Sequence, residues 1–183
     1  MGQLAQNAFG IYFKLQSFIF MPIFGLNNGI VPIVAYNYGA QKRKRMMGTV
    51  KLGMLYAIGY MALGLVAFQL FPEILLGFFN LSDEMSLAIA VPCLRIVSLA
   101  FVFAGFCIIA GSVFQAIGKS MYSMFVSIAR QLVVLIPVAY LLARTGNVSA
   151  VWWSFPIAEI MSVIVSTIFL VLIYKNTVSK IPE

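Results

Sequence analysis

Four fully charged side chains interrupt long apolar runs of the chain: Lys14, Arg95, Arg130 and Glu159. An ionised group at the centre of a membrane-spanning helix costs about 2.5–3.5 kcal/mol, so each of these needs a partner, water, or a route to the surface. Their chemistry is that of ion pairs and of proton or cation relays. Reckoned at about 1.5 Å per residue from the outward end of its run, each of Lys14, Arg95 and Glu159 lies roughly 10–14 Å deep. Arg130 falls a similar distance from the inward face, where its long side chain is expected to snorkel to the headgroups. The shared depth predicts a polar cluster in which Glu159 pairs with Lys14 or Arg95, either to fix helix packing or to serve substrate or proton movement. Gln16, Asn27, Asn28 and Gln115 are the other strongly polar candidates for a cavity wall. These seven residues (Lys14, Gln16, Asn27, Asn28, Arg95, Gln115, Glu159) form the candidate pathway.

Other chemistry lacks material. The chain has no histidine, and its one aspartate, Asp83, lies in a polar connection. No phosphate-binding loop, dinucleotide fingerprint, HExxH pair or cluster of metal ligands occurs. Acid–base or triad catalysis has almost no material, so the chain reads as a non-enzyme with no resident cofactor or metal. The two cysteines, Cys93 and Cys107, share one apolar run. In a helix their 14-residue separation is roughly 21 Å, too far for a disulfide, so both read as inert buried thiols.

The elements that must position these groups follow from composition. Apolar residues make up 62% of the 183 positions and charged residues 9%. Soluble domains run near 45–50% and about 25%, so the solvent here is lipid. The net charge of +7 is concentrated between Lys42 and Lys51, in a compact basic stretch rather than a basic face, which argues against nucleic acid. A window of about 20 residues, enough to cross roughly 30 Å of hydrocarbon, finds five spans, at about residues 7–36, 52–71, 86–114, 122–142 and 148–174. The runs are apolar all round, as in helices, and do not alternate as barrel strands do. The expected fold is therefore all-α: one polytopic membrane domain over 1–183 with five transmembrane helices.

Charge in the connections gives orientation. The basic stretch 39–51 is expected to be a cytoplasmic loop, and the acidic connection with Glu73, Asp83 and Glu84 to face outward. Lys119, Lys175 and Lys180 continue the alternation, which predicts an outside N-terminus and a cytoplasmic C-terminus. An outside N-terminus without a leader to carry it there suggests a further upstream span. The first span holds Pro22, Pro32, Gly25, Gly29 and the Asn27–Asn28 pair, a composition expected to bend it. Trp152 and Trp153 read as interfacial anchors.

Three stretches carry a resemblance. MPIFGLNNGIVPIVAYNYGAQKRKRM resembles the second helix of the C-terminal lobe of MATE (multidrug and toxic compound extrusion) transporters, with its basic loop. LFPEILLGFFNLSDEMSLAIAVPCLRI and FQAIGKSMYSM are similar to the third-to-fifth helices of that lobe. The likeness extends over essentially the whole chain. It implies twelve helices in two six-helix lobes, exchange of H⁺ or Na⁺ for small organic, often cationic, drugs, and a bacterial inner-membrane location. This chain would supply helices eight to twelve, with the lipid bilayer and an N-terminal lobe as its partners. The sodium-coupled branch uses carboxylates on the first and fourth helices of this lobe. The run 86–114 has no acid beyond its start, so the resemblance leaves coupling to the other lobe or to Glu159. A related lipid-linked oligosaccharide flippase would call for several cavity cations, more than Lys14 and Arg95. A truncated, non-transporting remnant or subunit is the remaining reading.

Overall fold

The computed structural model describes residues 2–79 and 83–181. All regular structure among them is helical, and it opens with α1 (Gly2–Gly39) and α2 (Arg43–Leu70). The short α3 (Pro72–Gly77) leads to α4 (Glu84–Ser98) and α5 (Phe101–Ala116). Next come α6 (Ser120–Ile128), a π-helical turn (Ala129–Leu135) and α7 (Ile136–Ala143). The chain ends in α8 (Val148–Trp152), α9 (Ser154–Asn176) and a 3₁₀ turn, Val178–Lys180. Four helical runs are long and apolar enough to cross a membrane, and α4 with α5, bent by 44° at their junction, together pass the same test as a candidate fifth.

Several elements depart from the sequence expectation. The basic stretch is a loop only from Ala40 to Lys42, and from Arg43 onward its cations ride on the first turns of α2. Arg and Lys are good helix formers, and their charges can reach water from a helix that protrudes beyond the bilayer. The reversal is made by Gln41 in the left-handed region (φ 56°). The Lys42 N–H bonds the Asn37 carbonyl at 2.8 Å and the Gln41 N–H bonds that of Tyr38 at 3.1 Å, a Schellman closure. Helix α1 runs unbroken through Pro22 and Pro32.

The third span is not one rod. Where α4 meets α5 the Leu99 N–H turns to the Ile96 carbonyl (3.3 Å), which leaves the Arg95 carbonyl without its helical partner. Gln69 of α2 takes that carbonyl through Nε2 at 2.7 Å and also donates to Ser98 Oγ at 3.2 Å. Ser98 Oγ itself donates to the same carbonyl at 3.0 Å. A side chain inserted into the helical ladder is a recognised cause of a sharp bend, and Gln69, the one strongly polar residue in its apolar run, performs that task.

Helix α5 is central, packing against α1, α2, α6 and α9. Its rings build the core: Phe101 meets Phe68 edge-on at 5.0 Å and Phe20 at 5.5 Å. The crossing with α2 is close because Gly105 has no side chain. A Cβ there would stand 3.0 Å from Met61 Cγ and 3.3 Å from the Ala57 carbonyl oxygen. At one end of the bundle, Arg43 Nη2 donates to the Tyr174 hydroxyl at 2.6 Å and Lys119 Nζ to Thr177 Oγ1 at 3.0 Å, so the basic connections gather there. At the other end Asp83 caps α4. Hydrogen bonds from the side chain and backbone of Ser86 hold its carboxyl below the usual range. Trp152 is buried, stacked on Phe9 at 5.8 Å, and so does not anchor at an interface as expected; the exposed Trp153 remains available for that role.

Candidate functional site

Four helices each turn one polar-dotted face toward a common cavity of about 380 Å³. Helix α1 contributes Gln16, Phe20, Phe24 and Asn27, spaced by four, four and three residues. That spacing places them on one side of a 3.6-residue helix. From α5 come Cys107, Gly111, Phe114 and Gln115, from α6 Ser123 and Ser127, and from α9 Ser162 and Ser166. Arg130, at the start of the π turn, completes the wall.

The π turn explains the direction of Arg130. Pro137 lacks the N–H that would bond the Val133 carbonyl, and its ring crowds the preceding turn. The ladder widens ahead of it, with the Ile136 N–H reaching the Gln131 carbonyl five residues back. Such wide turns rotate side chains out of their α-helical positions. Arg130 Nη1 meets Glu159 Oε1 of α9 at 2.5 Å. The two ends of this pair are unequally wet: the Arg130 side chain is 39% exposed and that of Glu159 11%. The second carboxylate oxygen of Glu159 has no hydrogen-bond partner among the described residues.

The predicted partnership of Glu159 with Lys14 or Arg95 is therefore corrected, for the partner is Arg130. Counting depth from opposite faces concealed that Arg130 and Glu159 lie close to one level. Lys14 is exposed in a second hollow with Gln6, Asn7 and Gly10, its ammonium 5.8 Å from the Phe79 ring. Arg95 is also exposed, and its backbone carbonyl rather than its guanidinium is what the fold uses. Of the amides, Gln16, Asn27 and Gln115 line the cavity, whereas Asn28 is exposed and lies off its wall. Ser112 Oγ lies within hydrogen-bond reach of both Asn27 Oδ1 and the Ile108 carbonyl, joining α1 to α5. Gln16 and Gln115 make no side-chain hydrogen bond to the described residues, so both amides are free to face a guest.

Sequence reasoning missed the serines of α9. Ser154, Ala158, Ser162 and Ser166 recur every fourth residue and are all buried. Ser162 Oγ returns its proton to the Ala158 carbonyl at 3.0 Å, and Ser166 Oγ sits 4.0 Å from the Cys107 sulfur. Small side chains at this spacing let α9 approach its neighbours closely, a signal the sequence did contain. Cys93 and Cys107 are both free, Cys93 buried and Cys107 on the cavity wall.

The profile of the MatE family matches residues 1–141. Multidrug export protein MepA of Staphylococcus saprophyticus is 27% identical over 180 residues, covering 98% of this chain and 39% of that protein. Its counterpart in Staphylococcus haemolyticus is 28% identical over 158 residues, covering 86% of this chain and 34% of that protein. Among solved structures, the MATE multidrug transporter DinF-BH superposes with a TM-score of 0.81 at 34% identity, covering 93% of this chain and 37% of that one. An inward-facing and an outward-facing MATE transporter each match with a TM-score of 0.82 at 18% identity, a likeness of fold. The chain thus spans about two fifths of the length of the relatives it matches.

Proposed function

Because the chain belongs to the MatE family of multi-pass membrane transporters, we propose that it forms one lobe of a cation-coupled multidrug antiporter. The driving ion is H⁺ or Na⁺, the exported molecules are small organic compounds, and the membrane is the bacterial inner membrane. The observation that supports this best is the cavity between α1, α5, α6 and α9, where the uncommitted amides of Gln16 and Gln115 and several serine hydroxyls share the wall with Phe20, Phe24 and Phe114. A site for chemically varied guests needs broad apolar contact together with a few polar groups that fix orientation. The equal likeness to inward- and outward-facing lobes supports a lobe that keeps its internal packing while two lobes rock about the cavity. Charge supports the orientation: Lys42 to Lys51, Lys119, Lys175 and Lys180 belong on the cytoplasmic side.

The two-lobe transporter reconstituted in proteoliposomes provides the test. Efflux of an organic cation dye should follow an imposed proton or sodium gradient and collapse with an ionophore that dissipates it. Filling the cavity with Gly111→Trp should reduce efflux at least tenfold without unfolding the protein. Efflux indifferent to both gradients would remove the coupling part of the reading. Full efflux from the cavity-filled variant would remove the site.

A further inference from the structure

Among the described residues that line the cavity, Arg130 is the one that carries a charge. Its guanidinium uses Nη1 on Glu159 and makes no other hydrogen bond to the described residues, so its other donors are uncommitted on a residue that lines the cavity. A guanidinium presents five donors in a rigid fork, and the free edge matches a carboxylate. The amides of Gln16 and Gln115 offer further donors in the same space, and Phe20 and Phe24 add flat apolar surface to its wall. From this juxtaposition we propose that the cavity binds planar aromatic monocarboxylates, with Arg130 as the residue that anchors the carboxylate and Glu159 as an internal carboxylate that competes for it.

The competition makes the proposal specific. With Glu159 in place, the guanidinium already has its counter-charge, so a guest anion leaves the site one negative charge in excess. Because the Arg130 side chain is 39% exposed, water moderates this repulsion, so it weakens the acid's hold without cancelling it. Replacing Glu159 by Gln keeps the shape, removes the competitor and leaves Arg130 to the guest. A pair that serves packing alone predicts the opposite, since breaking it leaves a charge without a partner and weakens the fold. The inference concerns binding within this lobe, so it succeeds or fails independently of which gradient drives transport.

The experiment measures saturable binding of radiolabelled 2-naphthoate and of its neutral relative 2-naphthamide to the chain in lipid nanodiscs, with empty nanodiscs as the partition control. Wild-type protein is expected to prefer the acid. Glu159→Gln should tighten acid binding at least tenfold and leave the amide unchanged. Arg130→Gln should bring the acid-to-amide ratio to about one. If Glu159→Gln does not run as a single folded species, the contrast of Arg130→Lys with Arg130→Gln decides, because Lys keeps the charge without the fork and should retain part of the preference. The proposal is overturned by no saturable acid binding in wild type, by an unchanged ratio in Arg130→Gln, or by a folded Glu159→Gln that binds the acid no better.

Discussion

Gln69→Leu tests how the bent span is held. In the wild type, Gln69 Nε2 donates to the Arg95 carbonyl at 2.7 Å and to Ser98 Oγ at 3.2 Å. Interhelical hydrogen bonds in membrane proteins average about 0.6 kcal/mol and reach about 1.7, so losing both should cost about 1–2 kcal/mol. The loss stays moderate because Ser98 Oγ still serves the same carbonyl at 3.0 Å. Gln69→Glu should cost more, about 3 kcal/mol, since an ionised carboxylate brings lone pairs to a carbonyl that needs a proton, in an apolar setting. Gln69→Leu with Ser98→Ala strips both donors and leaves the carbonyl unsatisfied, so the double variant should exceed the sum of the singles by about 1 kcal/mol or more. Steric trapping in bicelles gives these free energies at equilibrium. A Gln69→Leu variant within about 0.3 kcal/mol of wild type, or simple additivity of the two changes, would show that Gln69 does not hold the bend.

Two further perturbations read other parts of the fold by the same assay. Gly105→Val pushes a branched side chain against the Ala57 backbone and should destabilise by about 1–3 kcal/mol, with Gly105→Ala intermediate; equal stability of all three would mean that α2 and α5 are not in tight contact. Gln41→Gly relieves a left-handed residue at the end of α1 and should stabilise by about 1 kcal/mol, whereas Gln41→Val should destabilise.

What the sequence reveals and conceals divides along physical lines. Hydropathy depends on composition averaged over a span, so the runs at about 7–36, 52–71, 86–114, 122–142 and 148–174 can be read from it, and the structure has four apolar helical runs and the bent pair α4 and α5 long enough to be candidate spans. Capping and ladder details depend on single residues meeting across helices. The break after Ser98 is invisible in the run 86–114, because its cause sits 26 residues earlier than the carbonyl it serves, at Gln69. Glu159 is recognisable as a residue needing a partner, yet depth alone does not say which way a side chain faces around its helix. Lys14 and Arg95, reckoned from the sequence at the same depth, stand away from it. Arg130 reads as an inner-face residue, although its reach and the π turn bring it to the carboxylate. In the first span, period-four spacing separates Asn27, which faces the cavity with Gln16, Phe20 and Phe24, from Asn28, which does not.

The widened turn at Ala129–Leu135 also sets how this chain tolerates changes of length. In an ordinary helix each residue advances the face by about 100°, so deleting one swings everything beyond it away from its neighbours. A π turn accommodates one residue more than an α turn over the same arc. Removing a residue here would return the segment to α geometry and leave α6 and α7 facing as they do now. The bundle would survive such a deletion, and the change would be felt at Arg130, whose guanidinium would lose its line to Glu159.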